Sequence, residues 1–303
     1  MSASRYRGLR PHLGLLGMAL AATVLGCVGS GAGAGTSQTE ELSPSATPTA
    51  TATPLPSGPG GFYLRAWETK AVEPRFGFTV FPMVTIAQGL FIDGKVAQVA
   101  LYPPPLWNGL SASSISQKGI DTVVAEAQRQ GLLNSASHDF AGAAVPGSAL
   151  AHLEMVVDGT TYELTGDPTE LDRCRCIPEP GTNAAFAAFW QRLVGLNEWL
   201  GDELGKSGAY DPERVAILVS EPGAEVTGIT PKTLDWPLTT PFADFGSPFG
   251  SGFRCGVVSG TDLATLLPVV KRANQLTRFK DSAGASRSLL VRTLVPGEPS
   301  PCS

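Results

Sequence analysis

Histidine is scarce in this sequence, and the familiar signatures of catalytic sites are missing. The 303 residues include three histidines, and only 16% are charged. There is no G-x-S-x-G elbow, no H-E-x-x-H helix, no Walker A loop and no G-x-G-x-x-G after a strand. His138-Asp139 and His152 with Glu154 are interpreted as surface or hairpin residues, because a serine partner could be drawn from anywhere in the chain. We therefore predict no catalytic residues, no cofactor and no metal.

Apolar runs of membrane-spanning length are also lacking. The uncharged segment Leu13–Gly26 would form a helix of about 21 Å, against a hydrocarbon core of about 30 Å. Arg5, Arg7 and Arg10 precede it, and small residues end it. A basic start, a short apolar run and a small-residue end are typical of a secretory signal peptide, here residues 1–26.

Cys27 stands alone at the end of this run. The segment Val24-Leu25-Gly26-Cys27 resembles the bacterial lipobox. The resemblance implies cleavage before Cys27, a diacylglycerol on its sulfur and an acyl chain such as palmitate on its new amino group. Each buried methylene contributes about 0.8 kcal/mol, so three chains would hold the protein in the membrane. The alternative is a secreted protein with an unmodified Cys27.

The segment after Cys27 has little that could be buried. Residues 28–60 are mostly Ala, Ser, Thr, Gly and Pro, and such a composition cannot offset the entropy of ordering. Residues 27–60 are therefore predicted to be a lipidated cysteine followed by a disordered tether. The net charge of the whole chain is −5. Loss of the signal peptide would remove Arg5, Arg7 and Arg10 and make the mature protein still more acidic, because −5 − 3 = −8. Without a basic stripe, nucleic acid is excluded as a partner.

Cysteine is sparse after the tether, with four residues that allow three pairings. An even number in an exported protein favours disulfides. We predict Cys255 with Cys302, which would pin the C-terminus, and Cys174 with Cys176 across a one-residue spacer. A metal site at the Cys174-Arg175-Cys176 segment is disfavoured, because neither His138 nor His152 lies at ligand spacing.

The remaining chain predicts an α+β fold with antiparallel sheets. Residues 61–181 and 207–303 are interpreted as two similar strand, helix, strand repeats, and residues 182–206 as one long amphipathic helix that packs across both. The repeat rests on a gap-free offset of 143 residues between two amphipathic helices. The alternative is that any two capped amphipathic helices align in this way.

Local signals define the ends of these elements. Ser116 is expected to cap the first helix and Gly131 to end it in the left-handed conformation. Ser259 and Asn274 are the matching residues of the second helix, which Pro268 should kink. Two Asp-Gly pairs, at 93–94 and 158–159, predict hairpin turns.

Two Pro-rich loops, residues 101–109 and 234–253, precede the two helices and carry aromatic residues. Rigid aromatics make good contact surfaces, and loops at equivalent places in a repeat would form a shared groove. The candidate binding residues are Tyr102, Trp107, Trp236, Phe242 and Phe245. The alternative is that these side chains cap the ends of the core.

The folded part resembles secreted lipoproteins of high-GC bacteria. The resemblance rests on "FIDGKVA", "GIDTVVAEAQRQGLL", "DWPLTTPFADFG" and "RCGVVSGTDLATLLPVVKRANQLTR". It implies lipid anchoring on the extracytoplasmic face of the cell membrane, but no particular activity. Our leading hypothesis is a non-catalytic binding or envelope-associated protein with a protein or envelope-polymer partner. The alternatives are an envelope-polymer hydrolase with an unrecognised active site, or an inhibitor-type domain.

Overall fold

A computed structural model describes residues 61–70, 82–94, 103–107, 109–142, 149–175, 177–223 and 230–302. They belong to one compact unit, Ala52–Ser303. The predicted signal peptide, Cys27 and tether lie outside the described residues. Within the described ranges the chain forms five α-helices and two mostly antiparallel sheets, which confirms the α+β class.

The first sheet has eight strands in the described part of the chain. In chain order they are β1 (Tyr63–Lys70), β2 (Pro82–Ala87), β3 (Leu90–Asp93), β4 (Ser111–Ser114), β5 (Ser137–Asp139), β6 (Ala149–Val157), β7 (Thr160–Gly166) and β8 (Gly208–Ala209). Their spatial order is β5-β7-β6-β1-β2-β3-β4-β8. Among the described strands of this sheet, β5 and β7 pair in parallel and the other pairs are antiparallel. Strand β1 therefore lies inside the sheet, between β2 and β6.

Four helices follow these strands or connect them to the second sheet. They are α1 (Gln117–Arg129), α2 (Glu170–Cys174), α3 (Asn183–Val194) and α4 (Leu196–Leu200). Apolar side chains of α1, α3 and α4 pack on one face of the sheet, against alternate residues of β1 such as Leu64 and Ala66. Because side chains alternate across a strand, the residues between them face the other way.

The caps of α1 are those that the sequence predicts. The Ser116 hydroxyl accepts a 3.0 Å hydrogen bond from the backbone N–H of Gly119. Gly131 takes a φ of 70° just after the helix. Both ends are thus set by local chemistry.

The predicted long helix over 182–206 is wrong in its continuity and its contacts. Helix α3 ends at Gly195, α4 is a separate helix, and a 3₁₀ turn follows at Gly201–Glu203. The buried aromatic residues of α3, which are Phe186, Phe189 and Trp190, all belong to the core of the first sheet. The segment therefore does not pack across both sheets. Glycine at the break has the low helix propensity that permits this interruption.

One of the two predicted hairpin turns is misplaced. Asp158 and Gly159 do connect β6 to β7, with φ of 49° and 77°. Asp93, however, ends β3, and the turn between β2 and β3 is made by Gln88 and Gly89, with φ of 55° and 75°. Two consecutive positive φ values are the geometry of a two-residue hairpin turn.

The second sheet contains six strands among the described residues. They are β9 (Arg214–Ser220), β10 (Thr233–Asp235), β11 (Ser247–Pro248), β12 (Arg254–Ser259), β13 (Arg278–Lys280) and β14 (Ser286–Leu294), in the order β10-β13-β14-β9-β12-β11. Helix α5 (Gly260–Val270) packs on the face that carries Val215, Ile217 and Val219.

The ends of α5 agree with prediction only at the N-terminus. Ser259 occupies the cap position and Pro268 lies inside the helix. Asn274 is not left-handed. Its side-chain oxygen instead accepts the backbone N–H of Leu276 at 2.9 Å, which forms a local turn.

The predicted Cys255–Cys302 disulfide is confirmed. It joins β12 to the C-terminal segment across a sequence separation of 47. Cys174 is also disulfide-bonded, and its predicted partner, Cys176, lies outside the described residues.

Candidate functional site

The candidate binding aromatics of the second loop are buried. Trp236, Phe242 and Phe245 are 6%, 1% and 6% exposed. The Trp236 ring lies 4.9 Å from that of Phe242 and 5.5 Å from that of Phe245, and all three pack against α5 and its sheet. The expectation that they form an exposed contact surface is therefore wrong, since a single helix leaves much of this sheet face to be covered.

The first loop joins the same core. The backbone N–H of Leu106 donates to Ala273 at 3.0 Å, that of Gln275 donates to Pro104 at 2.9 Å, and the Leu106 side chain is buried in the core. Trp107 is half-buried beside it, with the Lys271 ammonium 5.9 Å from its ring centre. The two loops thus converge, but on packed side chains rather than on an open groove. Tyr102 lies outside the described residues.

An open cleft lies elsewhere, on the face of the first sheet opposite its helices. Its volume is about 420 Å³. Neighbouring strands β1, β6, β7 and β5 supply its lining, which is mostly polar: Arg65, Trp67, Ser137, His138, Asp139, His152, Leu153, Glu154, Glu163, Leu164 and Thr165. The register places Trp67 opposite His152, and Arg65 opposite Glu154. The cleft is therefore built by strand pairing rather than by loops.

His152 is held on three sides. Its ring stacks on Trp67 with centroids 5.3 Å apart and an angle of 14°. Its Nε2 lies 2.8 Å from the Thr69 hydroxyl, and its Nδ1 lies 3.2 Å from the Thr165 hydroxyl. A hydroxyl both donates and accepts, so either tautomer of the imidazole is satisfied.

Arg65 makes a second contact with the Trp67 ring. Its guanidinium lies 4.6 Å from the ring centre and donates to Glu154 at 2.7 Å. Both members of this ion pair are largely buried, with side-chain exposures of 13% and 14%. The pair and the stacked rings form a rigid wall of the cleft.

Two further carboxylates are exposed and reachable by a ligand. Glu163 is the direct strand partner of Glu154, and Asp139 is the partner of Thr165. Asp139 also accepts the backbone N–H of Ala141 at 3.0 Å. Opposed residues on paired strands have their Cβ atoms about 5 Å apart, so Glu154 and Glu163 present two carboxylates to one ligand.

The exposed strand β5 separates this cleft from a smaller pocket of about 210 Å³. His138 lines both spaces, and its ring lies 4.2 Å from that of Phe140. His138 therefore lies at the boundary between the cleft and the smaller pocket, where a ligand long enough to occupy both would contact it.

The sequence contained a signal for this cleft that its interpretation missed. His138-Asp139 and His152 with Glu154 are the residues assigned above to a surface or hairpin role, and all four line the cleft. Arg65 and Trp67 on β1, and His152 and Glu154 on β6, alternate with apolar residues, and this alternation indicates an outward face. Which strands would be neighbours, however, follows only from the sheet order.

No three His, Cys, Asp or Glu side chains in the described ranges are arranged to hold a metal ion. None of the described helices is long and apolar enough to cross a bilayer. Comparison with protein-family models, curated proteins and solved structures gives no match for this chain.

Proposed function

We propose that this chain is a lipid-anchored lipoprotein of the extracytoplasmic membrane face, and that its folded part is a non-catalytic binding protein. The lipobox-like segment at Cys27 supports the anchor. The cleft on the first sheet is the observation that carries the binding role. The ligand class that fits it best is a hydroxyl-rich envelope polymer.

The chemistry of the lining supports this ligand class. The carboxylates of the lining can accept hydrogen bonds from sugar hydroxyls, and its hydroxyls can both donate to them and accept from them. The stacked Trp67 and His152 rings add an apolar wall. The largely buried Arg65–Glu154 pair keeps that wall rigid, which lowers the entropy cost of binding.

Co-sedimentation of the mature protein with isolated envelope polysaccharide tests the cleft. Glu163→Gln keeps the shape of an exposed side chain but removes its charge. A hydrogen bond to a charged group contributes about 1.5–3 kcal/mol, so we expect binding to weaken by roughly tenfold or more. Glu198→Gln, an exposed residue outside the cleft, is the control. Equal binding by the Glu163 and Glu198 variants would contradict the proposal.

Membrane fractionation tests the anchor separately. We expect the protein in the membrane fraction and a Cys27→Ser variant in the soluble fraction. Mass spectrometry should find the mature chain beginning at a lipid-modified Cys27. An unmodified N-terminus at another residue contradicts the anchor and leaves the cleft test intact.

One observation favours a hydrolase as the second candidate. Glu154 and Glu163 are strand partners in one cleft. Retaining glycosidases carry two carboxyl groups about 5–5.5 Å apart, and inverting enzymes carry them about 6.5–9.5 Å apart. Release of soluble sugars from the polymer, lost in Glu163→Gln while binding persists, would establish this function. Binding without release supports the non-catalytic role.

An internal duplication is part of the proposal. Helices α1 and α5 begin 143 residues apart, at Gln117 and Gly260, and each follows a serine cap. The strands before them, β4 and β12, also begin 143 residues apart. Two more strands in the first sheet and the helices α3 and α4 would be additions to one copy.

A further inference from the structure

The second sheet carries an apolar patch on the face opposite α5. Side chains alternate across a strand, so Leu218 on β9 points away from the core that packs under α5. Strand pairing places Leu290 of β14 on one side of Leu218 and Cys255 of β12 on the other. Two positions further along β12, Val257 lies opposite Ala216. These residues therefore share one face of the sheet.

A hairpin between β11 and β12 extends this face beyond the strand ends. The backbone N–H of Phe249 donates to the carbonyl of Phe253 at 3.0 Å, so the two residues oppose each other. Phe249 packs against the cluster that contains Leu218 and Cys255, which places its ring on the patch face. Opposed residues of a hairpin point to the same side, so Phe253 joins it there.

The hairpin is fixed at its base and uncharged at its tip. The Arg254 guanidinium donates to the carbonyls of Phe245 at 2.7 Å and Gly246 at 2.8 Å. From residue 245 to residue 253 the sequence contains no charged side chain. Two aromatic rings are thus presented on a held turn without any charge that contact with an apolar medium would have to desolvate.

The patch gathers most of the exposed apolar side chains of the described ranges. Four large ones are exposed there, and three belong to this face: Phe253 (38%), Val257 (36%) and Leu290 (46%). The patch is about 15 Å wide from β14 to β11 and about 14 Å long from Phe253 to Val257. Exposed apolar residues are ordinary when scattered singly, whereas a contiguous group marks an interaction site.

The charges on this face suit a lipid surface. The chain has 27 acidic and 22 basic residues, yet none of the side chains that the described strands β9, β11, β12 and β14 turn to this face is acidic. At the margins, acids stand beside cations: Asp235 is the strand partner of Lys280, Glu221 pairs with Arg287 at 3.0 Å, and Glu298 is buried against Arg292. Anionic headgroups repel carboxylates, so a face without them is the one that such a surface accepts.

The length of chain before the domain brings this face within reach of a membrane. Under the proposed lipid anchor, on which this inference rests, residues 28–60 join Cys27 in the bilayer to a domain that begins at Gly61. A flexible chain of 33 residues spans about 30 Å. Tethering raises the local concentration of the two surfaces, so a small apolar patch is enough for contact.

We propose that this apolar face, with the hairpin tip at residues 249–253, docks on the lipid surface to which the chain is anchored. Phe249 and Phe253 enter the interfacial layer, and Leu290 and Val257 lie against it. The contact is apolar, so it requires no particular headgroup. It goes beyond the ligand cleft, which lies on the first sheet.

Flotation with vesicles of phosphatidylcholine and phosphatidylglycerol tests the face without the anchor. The probe is the mature chain with Cys27→Ser, which carries no lipid. We expect it to float with the vesicles, and Phe253→Ser or Leu290→Ser to lower its partition coefficient by about fivefold or more. Ile177→Ser removes an exposed apolar side chain outside this face, so it is the matched control and should float like the parent chain.

A parent chain that does not float, or equal flotation of the Phe253, Leu290 and Ile177 variants, overturns the proposal. Sedimentation equilibrium examines the other occupant. A dimer that Leu290→Ser dissociates, in a chain that ignores vesicles, would assign the face to a second copy and also overturn it. None of these results bears on the anchor, which mass spectrometry at Cys27 decides, or on polymer binding at Glu163.

Discussion

At the scale of single residues, the buried ion pair between Arg292 and Glu298 makes two side chains depend on each other. Arg292 and Glu298 form an ion pair with side-chain exposures of 3% and 4%. Burial raises the pKa of Glu298, and Arg292 opposes that rise. Taking both ions out of water is expensive, so each depends on the other far more than an exposed pair would.

We expect Arg292→Met to destabilise the protein by about 3–5 kcal/mol, because it leaves the Glu298 carboxylate buried alone. The double variant Arg292→Met/Glu298→Met should recover most of this loss. Urea unfolding followed by circular dichroism measures both. Arg287→Met, in an exposed ion pair with Glu221 at 3.0 Å, is the control and should cost less than about 1 kcal/mol. Equal losses at the two arginines would contradict the prediction.

Asp281 couples the aromatic loop to the strand that follows α5. Its carboxylate accepts the backbone N–H groups of Phe242 at 2.9 Å and Ala285 at 2.8 Å. The hydrogen bond from Phe242, with those from Ala285 and Ala283, lowers the pKa of Asp281 below its ordinary value. A lowered carboxyl pKa stabilises the fold above the unfolded value of about 4, and this contribution is lost as the pH falls through the folded value.

Asp281→Asn should therefore lower the thermal midpoint at pH 7, and the difference from wild type should shrink below about pH 4. Scanning calorimetry from pH 7 to below pH 4 measures this difference in thermal midpoint. Asp235→Asn, at an exposed residue of β10, should leave the midpoint near wild type at every pH. A constant gap between Asp281→Asn and wild type would show that charge plays no part.

At the scale of elements, the ends of a helix were predictable where they depend only on neighbouring residues. Ser116 and Gly131 end α1 as expected, because caps depend on the residue and its nearest neighbours. The turn at Gln88-Gly89 was not predictable, since Asp93-Gly94 is the stronger turn signal. Pairing of β3 with both β2 and β4 decides where that strand ends, and this pairing is a property of the whole sheet.

Two glycines test how much the end of α1 depends on packing. Gly142 has a φ of 60° and open space around it, whereas a Cβ on Gly131 would lie 2.7 Å from the backbone nitrogen of Gly181. We expect Gly142→Ala to cost about 1–2 kcal/mol from the left-handed backbone alone. Gly131→Ala should cost clearly more in the same urea titration, because the Gly181 backbone must also move. Equal losses of stability in the two variants would mean that the Gly181 backbone moves away from the new Cβ at no cost in free energy.

At the scale of the whole molecule, the sequence predicted the fold class and one disulfide. It did not predict which segments cover the faces of the two sheets. Helix α5 has too little surface for a six-stranded sheet, so Trp236, Phe242 and Phe245 complete that layer. Proline and aromatic residues in a loop look the same in sequence whether the loop is a contact surface or a lid on a core. The cleft was missed for the related reason that β1, far away in the chain, pairs beside β6 and adds Arg65 and Trp67 to residues of β5, β6 and β7.

The Cys255–Cys302 disulfide should matter to global stability, because it holds the segment that carries Glu298. For a separation of 47 residues, the chain-entropy model gives about 4 kcal/mol. We expect the double variant Cys255→Ser/Cys302→Ser to lose about this much in urea unfolding. Reductant should destabilise wild type by more than it destabilises the variant, which keeps the disulfide of Cys174. A variant as stable as wild type would show that buried contacts alone hold the C-terminus.

The position of β1 has a mechanical consequence. Everything N-terminal to the domain is attached to a strand that is paired on both edges, with β2 on one side and β6 on the other. A pull on that end along the strand loads two ladders of hydrogen bonds in shear, all at once, rather than unzipping them one by one. With the lipid anchor proposed above, a force applied through residues 27–60 would therefore act first on the strand that holds Arg65 and Trp67 in place.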